Sequence, residues 1–154
     1  MKINIKGYEV LIDDEDAERI LSRKWHLHGN GREHVYFATK GSGVYVRLHR
    51  FILGCSRGDG KIVDHINGDT LDNRKTNLRF VTPTQSQWNQ HGHRDSLSGL
   101  KGASWNSQKN KWHATIRIAR YKTKHLGFFA TAKEAHQAYC DAALRYHGEF
   151  ARLE

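Results

Sequence analysis

The stretch from Lys61 to Gln90 constrains this chain more than any other. Two short apolar runs, "KIVDHI" (61–66) and "LRFVT" (78–82), flank the polar loop "NGDTLDNRKTN" (67–77). Both runs read as strands, and the second is the expected partner of the first. A helix start follows at once. Thr82, Pro83, Thr84 and Gln85 fit an N-cap, a proline at the first helical position and a glutamine completing a capping box. The helix is expected from Pro83 to about Gln90. Strand, loop, strand and helix in so few residues make a compact ββα hairpin. Its helix lies back across the strands, so side chains of the strand end and the helix can meet at one point.

Inside the first strand, Asp64 and His65 stand side by side between Val63 and Ile66. Neighbours in a regular strand point to opposite faces. A charge and an imidazole in apolar surroundings are costly unless something uses them. The oxygen donors collected nearby include Asp69, Asp72, Asn73, Asn77, Ser86 and Asn89. Such a set suits a hard ion such as Mg²⁺, which takes one or two protein oxygens and fills its sphere with water and substrate phosphate. Neutral His65 can act as a base near physiological pH. A base that activates water beside such a metal is a phosphodiester hydrolysis site. Asn77 either orients the imidazole or braces the loop. A structural zinc site is disfavoured, because Cys55 and Cys140 are not paired around the hairpin.

Charge points to the same partner. The 154 residues hold 25 Lys plus Arg against 16 Asp plus Glu, a formal charge of +9. Residues 1–96 carry 15 basic and 12 acidic side chains, for +3, and residues 97–154 carry 10 and 4, for +6. A basic globular chain with its excess concentrated in one segment suggests a nucleic acid. No apolar run approaches the roughly 18 residues of a membrane span. "MKINIKGYEV" has no apolar core of a secretory signal, so a cytoplasmic location is expected.

The aperiodic "HGHRDSLSGLKG" (91–102) reads as a boundary, giving a domain over 1–92, a linker at 93–99 and a second domain over 100–154. Ahead of it, "YEVLI" (8–12) reads as a strand and "DDEDAERILSRKW" (13–25) as a helix with an acidic first turn. "HVYFATK" and "VYVRLHR" flank "GSG" (41–43) and read as a hairpin. Beyond it come three strand-like runs, "KGASWN", "KWHATIRIAR" and "KTKHLGFF", and a helix over 131–148. Thr131 and Glu134 form a capping box, and Gly148 suits the C-cap. In the second run Trp112, Ala114, Ile116 and Ile118 alternate with a polar, basic set. That pattern predicts an antiparallel sheet covered by one helix, with Trp112 in the core.

"VDHINGDTLDNRKTNLRFVT" resembles the ββα-metal motif of HNH endonucleases of the homing type, and "LHRFILG" (48–54) resembles that family's upstream His-Arg segment. "KGASWNSQKNKWHATIRIARYKTKHLGFFATAKEAHQAYCDAA" is similar to the DNA-binding domain of plant ethylene-response factors, which also occurs fused to HNH nucleases in phage and bacterial genomes. The first resemblance implies Asp64 as a metal ligand, His65 as the general base and Asn77 as the residue that orients it. It implies products with 5′-phosphate and 3′-hydroxyl ends. It also implies a helix ligand, usually Asn at the position of Ser86 and often a second Asn at that of Asn89. Here only Asn89 is kept, and three accounts stand: Asn89 is the ligand, Ser86 holds the metal through a water, or the site is weakened.

The second resemblance implies that the polar sheet face meets DNA. Lys101, Trp105, Lys111, His113, Thr115, Arg117, Lys122, Lys124 and His125 are expected there, with Arg117 the candidate for base readout. Lys101, Thr115 and His125 depart from the plant pattern, so its target preference does not transfer. His49, Arg50 and Arg79 are expected either to clamp the scissile phosphate or to form salt bridges with local acids.

The expected class is α+β: a ββα-metal (HNH) nuclease domain, its hairpin at about 61–90, plus a small three-stranded antiparallel sheet with one packed helix. The expected function is a sequence-tolerant, homing-type DNA endonuclease. It would act as a monomer on double-stranded DNA with one divalent metal, Mg²⁺ or alternatively Mn²⁺, and no small-molecule cofactor. The rival is a DNA-binding regulator whose catalysis is weakened or absent.

Overall fold

The computed structural model describes residues 1–28, 35–41, 43–92 and 96–154. By contacts the chain forms two compact units, Met1–Thr82 and Pro83–Glu154.

The first unit opens with a hairpin of β1 (Lys2–Ile5) and β2 (Tyr8–Leu11). Its turn, Lys6-Gly7, has φ of 55° and 87°. Two positive φ values match the twist that tight hairpins require, and glycine meets the second without strain. A short 3₁₀ turn, Asp14–Asp16, leads into α1 (Ala17–Leu21). This is much shorter than the helix expected over 13–25. The Trp25 indole donates to the Ile20 carbonyl at 2.8 Å and its ring enters the core, so the chain must turn after Leu21. A sheet follows in the order β3 (His26–His28), β4 (Tyr36–Gly41), β5 (Val44–Arg47), all antiparallel. His34 and Ser42 of the expected hairpin lie outside the described residues.

"VYVRLHR" is a strand only as far as Arg47. Leu48 begins α2 (Leu48–Ile52), which drives Leu48 and Ile52 into the core. β6 (Ile62–His65) and β7 (Leu78–Val81) then pair antiparallel as expected. Ile3, Ile5, Val10, Ile12, Ile20, Trp25, Phe37, Leu48, Ile52 and Leu78 form one core. Burial of such side chains is worth about 1.5–3 kcal/mol each, the main term holding the small sheets together. The loop between β6 and β7 is stitched to β2. Leu11 N–H donates to Leu71 O at 2.9 Å, and Asn73 N–H donates to Leu11 O at 2.8 Å.

The second unit starts with α3 (Pro83–Trp88). The division after Thr82 lies well ahead of the stretch read as a linker, of which residues 93–95 are outside the described set. α3 has a clear reason to count with this unit. Trp88 stacks on His147 with ring centroids 4.3 Å apart, and its indole donates to Arg117 O at 2.9 Å. Lys101 Nζ donates to Trp88 O at 2.8 Å.

The remaining elements are β8 (Ala103–Asn106), β9 (Lys111–Ala119), β10 (Lys122–Phe129) and α4 (Ala132–His147). The strands form an antiparallel sheet in the order β10-β9-β8, covered by α4, as the alternation predicted. The Thr131/Glu134 capping box is present. Ala114 and Ile116 of β9 meet Ala135, Tyr139 and Ala143 of α4 in two adjoining apolar clusters. Gly102 sets their closeness: at φ +79°, a Cβ there would lie 2.2 Å from the Tyr139 ring.

Candidate active site

β6 delivers the Asp64-His65 pair at its C-terminal end. Asp64 faces Arg79 across the ladder, with 3.7 Å between Oδ2 and Nη2. His65 faces Leu78 and is buried. Its Nε2 lies 3.4 Å from Asn73 Oδ1, a long contact. A carbonyl oxygen can only accept, so this contact favours the Nε2–H tautomer and places the lone pair on Nδ1. Asn73 is fixed by its own bonds: Nδ2 donates to Thr70 O at 3.0 Å, and its N–H holds β2.

Two further rings wall the imidazole. His49 of α2 is buried and meets His65 edge to face at 5.0 Å between centroids. Tyr36 of β4 lies 5.7 Å from His49 and 6.4 Å from His65, with the Arg47 guanidinium over its ring at 4.9 Å. Burial dominates the electrostatics. It lowers the His65 pKa below 6.5 against the opposing pull of the Asn73 contact and of Asp64, Asp69 and Asp72. It lowers that of His49 to about 3, helped by the charges of His65, Arg47 and Arg50. Both rings are therefore neutral at pH 7, and a neutral imidazole can accept a proton.

Asn77 makes the hydrogen bonds of a brace. Its Nδ2 donates to Asp72 O at 2.7 Å and to Asn67 Oδ1 at 2.9 Å, and its Oδ1 accepts from Asn67 N–H at 3.0 Å. The asparagine that reaches the imidazole is Asn73, which the sequence placed only among the nearby oxygen donors and not beside the histidine. The available signal was its place in the same polar loop.

Arg50 is likewise engaged locally. It binds Asp59 at 2.7 Å, Ser56 O at 2.6 Å and Lys61 O. These bonds match the salt-bridge alternative. Arg79 alone of the three expected clamp residues faces Asp64.

A cage of three or more His, Cys, Asp or Glu donors does not occur among the described residues. Mg²⁺ does not need one, since it is commonly held through one or two carboxylates and keeps several waters. The Asp64 carboxylate is partly exposed and its donor chemistry fits such an ion. Ser86 lies in α3, half-buried, and buried Asn89 lies one residue past the helix end.

In the second unit, β9 alternation sets Lys111, His113, Thr115 and Arg117 on the face away from the core. His125 joins them opposite Thr115, and Phe128 joins opposite His113. Three expected members of that face are elsewhere. Lys124 pairs with the core residue Ile116, and its Nζ donates to Tyr146 Oη of α4 at 2.7 Å. It precedes His125, and adjacent strand residues cannot share a face. Trp105 pairs with Trp112, their rings 5.3 Å apart, on the core-side face. Lys101 caps the end of α3 through Trp88 O and Gln90 O, and burial lowers its pKa to about 8. Lys122 is exposed at the β9–β10 turn, opposite Ala119. Trp112 packs against the core, as its alternation predicted.

Residues 46–87 match the family described as HNH endonuclease. The chain contains an HNH endonuclease domain. Over 133 residues the chain is 32% identical to an uncharacterized HNH endonuclease of Acanthamoeba polyphaga mimivirus, covering 83% of this chain and 65% of that one. Over 57 residues it is 37% identical to Protein 3.8 of Escherichia phage T7, covering 37% of this chain and 47% of that one. The chain thus spans less than two thirds of either relative. No solved structure matches it. The HNH match runs from the end of β5 through α2, β6, β7 and most of α3, and contains His49, Asp64, His65 and Asn73 but not Tyr36. No helix among the described residues is long and apolar enough to cross a membrane.

Proposed function

We propose that the chain is a homing-type endonuclease that hydrolyses phosphodiesters of double-stranded DNA with one divalent cation, Mg²⁺ or Mn²⁺. The observation that carries this reading is His65: an imidazole held neutral by burial, beside a carboxylate, inside the HNH match. His65 takes the proton of the attacking water. Asn73 holds the ring in the tautomer that can do so. Asp64 is the ligand for the cation, which supplies charge neutralisation at the leaving oxygen. Arg79, beside Asp64, holds the phosphate in place. Asn77 keeps the 66–77 loop closed so that Asn73 stays in reach. The family resemblance assigns one further ligand to the segment after β7, Asn89 or, through water, Ser86. Supercoiled plasmid is expected to be nicked or cut with Mg²⁺ or Mn²⁺ and left intact with EDTA. Duplex binding without cleavage across several divalent ions overturns the enzyme and leaves a DNA-binding regulator, the reading that Ser86 favours.

The second unit would supply affinity and some sequence preference. Arg117 is exposed on the open sheet face, its Nη1 3.3 Å from Gln87 Oε1. Its carbonyl, not its side chain, accepts from Trp88 and His147, so Arg117→Ala leaves those bonds in place. That variant is expected to lose about 1–3 kcal/mol of binding and to flatten preference among duplexes in a gel-shift series. Unchanged affinity and preference would count against readout by this sheet.

A further inference from the structure

Beside β5 the first unit has an open groove of about 420 Å³, and its charge is one-sided. Arg47, Arg57 and Lys61 line it, along with the ring of Tyr45. Its one carboxylate, Asp59, is neutralised by Arg50 at 2.7 Å. Arg57 has no ion pair or hydrogen-bond partner among the described residues, and the Arg47 guanidinium rests on the Tyr36 ring. Three cations that share one groove repel each other unless an anion enters.

The loop that carries Arg57 is built rather than loose. Asp59 accepts from Ser56 N–H and Lys61 N–H, each at 3.0 Å, and Arg50 ties Asp59 to Ser56 O. Gly58 and Gly60, at φ of 81° and 71°, allow the tight path between these bonds. Arg57 is thus presented at the tip of a closed network, with little backbone ordering left to do on binding. One residue of its lining stands near the candidate base. Arg47 touches Tyr36, whose ring lies 6.4 Å from that of His65.

We propose that this groove binds the phosphodiester backbone of duplex DNA, holding the strand that runs on to His65. The inference rests on the nuclease reading and adds to it a backbone anchor, within the matched segment, that is separate from the Asp64-His65 pair and from the basic sheet. Guanidinium and ammonium groups gathered in an open groove suit successive backbone phosphates, which carry no sequence information.

The test measures binding by fluorescence anisotropy in EDTA, so that no cutting intervenes. It uses the full chain, two duplexes of unrelated sequence and a series of NaCl concentrations. Arg57 and Lys61 are exposed, and Arg57→Ala and the double variant Arg57→Ala/Lys61→Ala should melt with the wild type. Arg57→Ala is expected to weaken both duplexes equally, by roughly tenfold, and to reduce the slope of log K against log salt by about 0.9. The double variant should reduce it by about twice that. Lys24→Ala, which removes one exposed charge of the same unit outside the groove, should change neither. Wild-type affinity and slope in the groove variants overturn the proposal, and so does an equal loss in Lys24→Ala. A wild-type chain that binds through the groove yet never cuts overturns the nuclease reading instead.

Discussion

His65→Ala is expected to lower metal-dependent DNA cleavage by about 10²- to 10⁴-fold, the range that a positioned general base contributes. Duplex affinity measured in EDTA should stay within a few-fold, because the ring is buried and offers DNA no charge at neutral pH. Truncation leaves a hole beside His49 and Tyr36, so the conservative variant His65→Gln is the necessary companion. It keeps most of the volume and a polar end near Asn73, yet cannot take a proton from water. Loss of cutting in both variants, with melting preserved in His65→Gln, identifies the proton acceptor. A His65→Gln chain that cuts at the wild-type rate would place the base elsewhere.

Much of this site was legible because it depends on short-range order. The apolar runs around Asp64-His65, the Gly- and Asn-rich loop and the proline at the helix start fix a hairpin and a following helix with little help from distant residues. The second sheet was legible for the same reason. Trp112, Ala114, Ile116 and Ile118 repeat with period two, and the Thr131/Glu134 capping box marks where α4 begins.

What escaped depends on contacts far apart in sequence or on changes of strand phase. β1 begins at the second residue, and its turn uses Lys6-Gly7 rather than the Asn-Gly that usually announces such a hairpin. The Leu48–Ile52 turn of helix follows a strand without a break in β-favouring residues, and only the core claims Leu48 and Ile52 for a helix. Asn73 acquires its place near His65 because β2, some 60 residues earlier, holds its N–H. Lys124 and His125 were both assigned to one face although they are adjacent, and only the pairing of His125 with Thr115 and of Lys124 with Ile116 decides between them.

His49 supplies the largest expected effect on stability, and its sign follows from burial. Its pKa in the fold is about 3, while the unfolded chain should show the ordinary 6.5. Between these values the unfolded state binds a proton that the native state refuses. Stability therefore rises with pH through this window and is lost progressively as pH falls from 6.5 towards 3. The gap corresponds to a loss on the order of 5 kcal/mol. His65 adds to it in the same direction, since burial lowers its pKa too. Asp59 and Asp72, held low by Arg50 and Arg74, lose their contributions only as pH falls into the carboxylate range.

His49→Phe separates these effects. A phenyl ring keeps the edge-to-face contacts with Tyr36 and His65 but carries no titratable nitrogen. Amide hydrogen exchange at Val10 and Phe37, both deep in the first unit, reports that unit's stability without interference from the second. Between pH 7 and pH 4.5, wild-type protection should fall by at least 1–2 kcal/mol more than that of His49→Phe. Parallel losses in the two proteins would mean that His49 takes up its proton inside the fold. The imidazole beside the candidate base would then be a cation at mildly acidic pH rather than the neutral wall described here.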